Sequence, residues 1–331
     1  MSKITMQIDR TYGEYPLRLD QMVDRITRAS DLFVIAHLGV PDIETTENWL
    51  LTIDGLVKSS AVFDFASLRN DFDKTVIEAV HKCSGGARKP TVPTRQVANI
   101  RWGGVLLNDL LAAVEILPEA KYLWSHGVDH GDFFGHKVDR YIKDVPLFRV
   151  HCGDILLVYE LNGEPLPLKH GFPLRLIIPG YYGNNDVKWL DRLHFAETRP
   201  SGLFTTKYYN DVLPDGKGTK PCWEIEPESV FVAPGDNDRL PVGDVDIWGW
   251  AWSNCEIRQV ELSADGGENW VQADLEPRRQ WSRQRFSQKV RIDSPGPIRL
   301  VCRATDVEGQ TQPESGARNE YHTVAINVTD Q

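Results

Sequence analysis

Asp154-Ile155-Leu156-Leu157-Val158-Tyr159-Glu160-Leu161, closed by Asn162-Gly163, is the stretch from which the fold can be read. A short run of branched and aromatic residues ending in Asn-Gly predicts a buried strand followed by a tight turn. Residues 174–178 with Pro179-Gly180 repeat the pattern downstream, and residues 49–55 do so upstream. Between them, residues 67–69 and 105–116 predict short helices. The second has Leu106, Leu107, Leu110, Leu111 and Val114 at helical spacing and Asp109 near its start. Strands and short helices alternate without a regular βαβ repeat, so the front of the chain reads as a mixed α/β domain.

Farther out, residues 211–221 (DVLPDGKGTKP) are rich in Pro, Gly and Lys and read as a linker. Beyond them, alternating runs at 245–252, 257–262, 269–273, 286–292 and 298–304 are separated by turns, the pattern of an all-β sandwich. Trp248, Trp250 and Trp252 fit a sandwich core and one sheet face. The fold class is therefore α+β: an N-terminal arm over 1–30, a mixed domain over 31–215, and an immunoglobulin-like sandwich over 221–331.

Composition narrows the function. The chain has 331 residues, is 41% apolar and 25% charged, and carries a net charge of −10. Most of that charge lies in 221–331, which disfavours binding driven by phosphate neutralisation and argues against a nucleic-acid partner. No apolar run is long enough for a spanning helix, so no membrane partner is expected. Without a leader in the sequence as given, the expected compartment is the cytoplasm, or the periplasm if a leader has been removed. Five widely spaced cysteines with no CxxC pair form neither a disulfide framework nor a zinc ribbon.

Several stretches carry possible chemistry. Cys83 sits in His81-Lys82-Cys83-Ser84-Gly85-Gly86-Ala87-Arg88-Lys89, where glycines leave room for a bulky ligand and nearby cations favour thiolate. A thiolate suits a soft or high-valent metal. The same residue reads equally well as a small buried hydrophobe beside a loop. The run from His126 through Asp129, His130 and Asp132 to His136 is rich in metal-ligand types, but its spacing matches no zinc motif and fits a solvated loop better. His170 and Arg175 stand where a loop meets a strand and suit an anionic ligand. Lys188 follows the polar stretch Asn184-Asn185-Asp186. Tyr208 and Tyr209 precede the linker and offer a phenol as proton donor or as packing.

Taken together, residues 156–167, His170-Gly171-Phe172-Pro173-Leu174-Arg175, Pro179-Gly180 and Val187-Lys188-Trp189-Leu190 resemble the sulfite oxidase family of molybdenum enzymes. The resemblance also takes in Phe33-Val34, His37-Leu38, Cys83-Ser84-Gly85, Arg101-Trp102-Gly103-Gly104 and the region 221–331, which is similar to that family's dimerisation domain. It implies a molybdenum–molybdopterin cofactor with Cys83 as the thiolate ligand. His37, Asp129, His170, Arg175 and Lys188 match positions that hold the pterin and its phosphate. Arg88 matches a substrate-pocket arginine and Tyr209 the active-site tyrosine, with Tyr208 in its place if the register slips by one.

The pattern departs from the family where the substrate would bind. Ile35-Ala36 stand where an Arg-Asn pair is usual, Gly86-Ala87-Arg88 replace Asn-Arg-Arg, and the late Trp-Asn-x-Arg-Gly loop is missing, with Arg318 as a possible substitute. Each lost charge-assisted bond to an oxoanion costs about 1.5–3 kcal/mol. The resemblance implies oxygen-atom transfer, sulfite to sulfate first, with electrons passed to an external carrier such as a cytochrome, and a homodimer. The alternatives are another oxoanion or oxide, such as nitrate or an S- or N-oxide, and a non-catalytic interaction scaffold.

Overall fold

The computed structural model describes residues 4–8, 11–15, 17–85, 95–213 and 215–330. It divides into two units, one made of 1–16, 28–77 and 101–223, the other of 17–27, 78–100 and 224–331.

In the first unit a five-stranded sheet runs in the order Ile142–Pro146, Tyr122–Gly127, Leu190–Ala196, Leu50–Gly55, Ala61–Asp64. The contact of Leu190–Ala196 with Leu50–Gly55 is parallel; the others are antiparallel. One face of this sheet supplies Leu51, Ile53, Leu123, Leu193 and Phe195 to the core, all with no exposure. The opposite face of the same strands carries Asp54, Trp124, His126, Arg192 and His194, as a period of two requires. Leu156–Leu161 pairs with residues 102–106 and, on its other side, with Arg175–Ile177. Gly104 permits that first pairing: a Cβ on it would lie 2.1 Å from the Leu157 carbonyl oxygen. Thr11–Tyr15 pairs with Ile4–Ile8 on one side and with Val34–Ala36 on the other.

Two local expectations change. The helix expected over 105–116 is only Leu107–Leu111, because Leu106 stays in its strand and Leu107 N–H donates to the Ile155 carbonyl at 2.8 Å. Past Leu111 the chain tightens into turns and then bridges to the edge of the first sheet, where Leu117 N–H meets the Leu56 carbonyl at 2.9 Å. The linker read over 211–221 is a hairpin, Asn210–Val212 against Thr219–Pro221, with Gly216 and Gly218 at positive φ in its turn.

The second unit is a β-sandwich. One sheet runs Glu228–Ala233, Gly243–Trp252, Gln284–Ile292, Asp274–Leu275; the other runs Arg239–Pro241, His322–Thr329, Gly296–Asp306, Ile257–Ser263, Val271–Gln272. His322, Val324, Ile326 and Val328 point inward and alternate with outward residues. In Gly243–Trp252 it is Val245, Ile247 and Ala251 that enter the sandwich core. The tryptophans take the other face, so they are not core residues of the sandwich. Trp250 donates from Nε1 to the Met22 carbonyl at 2.7 Å, and Arg283 lies 4.2 Å from its ring centre. Residues 17–27 thus belong to this unit.

His322 is buried and accepts the Phe231 N–H on Nδ1 at 3.0 Å. Burial, reinforced by Arg95, pushes its pKa down to about 3. The unfolded imidazole takes up a proton near its ordinary value of 6.5 that the folded one refuses. Stability is therefore lost as pH falls from that value toward 3, at about 1.4 kcal/mol per pH unit from this group. His322→Gln, whose amide oxygen can still accept the Phe231 N–H, is expected to flatten the dependence of Tm on pH in this range. A parallel profile for the two proteins would refute this.

Candidate active site

Six of the residues singled out from the sequence converge in the first unit. Lys188, two residues before the strand Leu190–Ala196, donates from Nζ to the Ile35 carbonyl at 2.9 Å and the Lys169 carbonyl at 3.2 Å. It thereby ties the strand before His37 to the short helix Leu168–His170. Arg175 opens the strand Arg175–Ile177, donates to the His170 carbonyl at 2.8 Å and the Asp186 carbonyl at 3.3 Å, and lies 4.9 Å from the Trp102 ring centre. The backbone makes this crossing possible at Gly171, whose φ is +111° and whose added Cβ would meet Arg175 Cβ and Lys188 Cβ at 3.1 Å. Asp129 is packed close to Gly127, where an added Cβ would meet Asp129 Oδ1 at 2.4 Å and the Lys188 carbonyl at 2.7 Å.

His37 sits in an aromatic box. It stacks on Phe204 at 5.4 Å and meets Phe133 edge-on at 4.9 Å. Its Nε2 is hydrogen-bonded to the Tyr209 hydroxyl. Tyr208 instead packs edge-on against Phe133 at 5.2 Å, so the hydroxyl at His37 is that of Tyr209. Tyr209 and Trp189 both hold positive φ, 60° and 50°, conformations costly for bulky residues and found beside these side chains.

Burial dominates the electrostatics. It pushes the His37 pKa down to about 4, with Lys188 adding to the effect, so the imidazole is neutral at physiological pH. Arg175 falls only to about 10, mainly through burial, and stays charged. Burial also drives Lys188 down, with Arg175 in the same direction, and Asp129 up, while the attraction between Lys188 and Asp129 opposes both shifts.

Sequence reasoning missed Lys143. It is 1% exposed, donates to the Phe204 carbonyl at 2.8 Å and lies 5.2 Å from the Tyr209 ring centre. Burial lowers its pKa to about 8. The only signal was a Lys-Asp pair inside an apolar strand; its partner Asp144 is held by both Nε and a terminal nitrogen of Arg199, at 2.6 and 3.0 Å.

Cys83 belongs to the second unit. It follows the strand Thr75–Lys82, is half-buried, and donates its N–H to the Gln96 carbonyl at 2.9 Å. An added Cβ on Gly85 would stand 3.8 Å from its Sγ, so any side chain there would sit beside the sulfur. Lys82, expected to lend charge to the thiol, is 1% exposed and engaged by Glu228 at 3.6 Å. Arg88 lies outside the described residues. Among the described residues, no group of three or more His, Cys, Asp or Glu side chains is placed to hold a metal ion. In the stretch 126–136, His126 is buried in a strand while 131–138 form a hairpin. Gln312, in the late region that departs from the family pattern, ties strands of the sandwich together. Its Oε1 accepts from Ser229 N–H at 2.9 Å and Ala304 N–H at 3.1 Å.

Comparison with known proteins adds the following. The family model of the oxidoreductase molybdopterin binding domain matches residues 37–204, and that of the Mo-co oxidoreductase dimerisation domain matches 219–328. Sulfite oxidase of Gallus gallus is 28% identical over 327 residues, covering 89% of this chain and 70% of that protein. A nitrate reductase [NAD(P)H] of Hordeum vulgare is 28% identical over 92% of this chain and 39% of that protein. Among solved structures, the sulfane dehydrogenase SoxCD from Paracoccus pantotrophus is similar at a TM-score of 0.82 and 28% identity, over 98% of this chain and 89% of that one.

Proposed function

The chain belongs to the sulfite oxidase family of molybdopterin oxidoreductases, an enzyme family with a molybdenum–molybdopterin cofactor, and from that premise we propose that it oxidises sulfite to sulfate. Water supplies the fourth oxygen, and two protons and two electrons leave, the electrons to a separate carrier. The observation that carries the site is the convergence of His37, Asp129, His170, Arg175 and Lys188, with two buried nitrogens left over. His37 Nδ1 and Arg175 Nε have no hydrogen-bond partner among the described residues. Buried polar atoms are seldom left so, and a pterin phosphate or ring edge would satisfy them.

The donor set fits that cofactor. Arg175 offers a fixed charged fork, clamped by two backbone carbonyls, for a phosphate. His37 is neutral, and if its Nε2 accepts the Tyr209 O–H, its Nδ1–H points one donor inward. Lys188, attracted by the Asp129 carboxylate, ties its own segment to the Ile35 and Lys169 carbonyls. In this reading Cys83 is the metal's sulfur ligand, Arg88 steadies the anion, and Tyr209 lines the reacting side, its ring held over the Lys143 ammonium. When bound, the cofactor supplies the two-electron oxygen-atom-transfer chemistry; the protein supplies orientation, cationic anchoring and exclusion of water.

A second reading, another small oxoanion or oxide such as nitrate, is favoured by Ile35. Val34 and Ala36 face the interior, and Ile35 occupies the opposite face with an apolar side chain where the family pattern has arginine. The likeness to a sulfane dehydrogenase and to a nitrate reductase supports keeping this reading. The test is to mix oxidised holoenzyme with sulfite and follow the metal's absorption. Sulfite turnover with bleaching is expected, and Ile35→Arg should raise kcat/KM for sulfite about tenfold or more through one added charge-assisted bond. No bleaching by sulfite, with the oxidised absorption returning when nitrate or an oxide is added to reduced enzyme, would decide for the second reading.

The match of 219–328 to a dimerisation domain supports a homodimer in this proposal. Size-exclusion chromatography with light scattering is expected to give twice the chain mass. A strict monomer would refute it.

A further inference from the structure

Lys82 and Arg95 bracket the segment that carries Cys83, and both reach the same carboxylate. Arg95 donates to Glu228 Oε1 at 3.0 Å and Lys82 lies 3.6 Å from Oε2. All three side chains are 1% exposed. Lys82 Nζ also donates to the Arg95 carbonyl at 2.8 Å and approaches the Cys83 carbonyl at 3.4 Å. With the Cys83 N–H on the Gln96 carbonyl, the two ends of the segment are closed on each other by backbone and side chain alike. Glu228 opens the strand Glu228–Ala233, 133 residues away in sequence from Arg95.

We infer that Glu228 is a positioning residue for Cys83: by gripping Lys82, the residue before the cysteine, and Arg95, the neighbour of its hydrogen-bond partner Gln96, it fixes the backbone that carries the sulfur. Three charges buried this deeply gain little stability over apolar side chains of the same volume, because desolvation offsets their attraction. Geometry is what such a triad adds. Backbone at Lys82-Cys83 and Arg95-Gln96 that is held by two ion pairs to one carboxylate cannot spread or slide in register without leaving a buried charge unpaired. The strand from the dimerisation region therefore takes part in setting the position of the metal's ligand.

The inference rests on Cys83 as that ligand, so its test has two arms. Hydrogen exchange on cofactor-free protein, from a host unable to make molybdopterin, reads the loop alone. Glu228→Gln is expected to speed exchange across 81–97 about tenfold while 245–252 and 322–329 stay protected. Molybdenum retained by the holoenzyme on dialysis, by metal analysis, reads the ligand's position. It should be lost about tenfold faster in Glu228→Gln, with partial recovery in Glu228→Asp. Because a single lost charge can unfold the unit, the triple replacement Lys82→Met, Arg95→Met, Glu228→Leu is the companion. It should fold, yet show the loose loop and the faster metal loss. Wild-type loop exchange in that folded triple variant, or a loosened loop with unchanged metal retention, would overturn the inference. Should Cys83→Ser keep its molybdenum with an unaltered spectrum, the ligand reading itself fails and takes this inference with it.

Discussion

Cys83→Ser is expected to give a folded protein whose turnover has dropped about 10³-fold, equivalent to about 4 kcal/mol of lost transition-state stabilisation. The fold should tolerate the change. The side chain is only half-buried, serine is close to isosteric, and the N–H bond to Gln96 does not involve the sulfur. What changes is donor chemistry: a hydroxyl oxygen is a hard, weakly acidic ligand, while a thiolate is soft and gives charge to a high-valent metal. Far-UV circular dichroism, metal content and steady-state turnover on one preparation provide the check. Turnover within about threefold of wild type would mean that the metal is held by something else.

Arg175→Met is the second large effect, and its signature is a split between folding and cofactor retention. In the fold, Arg175 satisfies the His170 and Asp186 carbonyls and stacks near Trp102. Its depressed pKa reports that burying the charge is costly, and methionine removes that cost while filling much of the volume. The cofactor-free protein should therefore lose only a few degrees of Tm. In the proposed site phosphate recognition would have no such compensation: losing one or two charge-assisted bonds of about 1.5–3 kcal/mol each is expected to lower pterin retention about 10²-fold or more. Pterin released on gel filtration, quantified by fluorescence after oxidation, measures this. Full retention would show that Arg175 is a structural side chain only.

Much of this was legible because it is written in short-range pattern. Alternation over 243–252 and 322–329 specifies a two-faced strand whatever the rest of the chain does. The blocks of 170–190 lie close together in sequence, so their resemblance to the family needed no distant partner. The sequence misjudged 105–116 because the period-3.6 leucines there are shared between the end of a strand and one helical turn. The tryptophans of 243–252 showed the same limit: their spacing gives a face, but not what covers it, and over Trp250 the cover proved to be Met22 and Arg283. Lys143 stayed hidden because a lysine inside a strand signals nothing until its neighbours, Phe204 and Tyr209, are brought to it from some sixty residues on.

By itself the sequence determined the two kinds of domain, through local periodicity, and the family with its cofactor, through the resemblance of short blocks in their order. Only the tertiary structure decided which hydroxyl meets His37, which buried nitrogens have no partner among the described residues, and that the stretch bearing Cys83 folds into the same unit as Glu228. The reason is physical. Local patterns are fixed by the bond geometry of neighbouring residues. Burial, charge pairing and proton affinity are properties of surroundings, and those surroundings are assembled from segments more than a hundred residues apart.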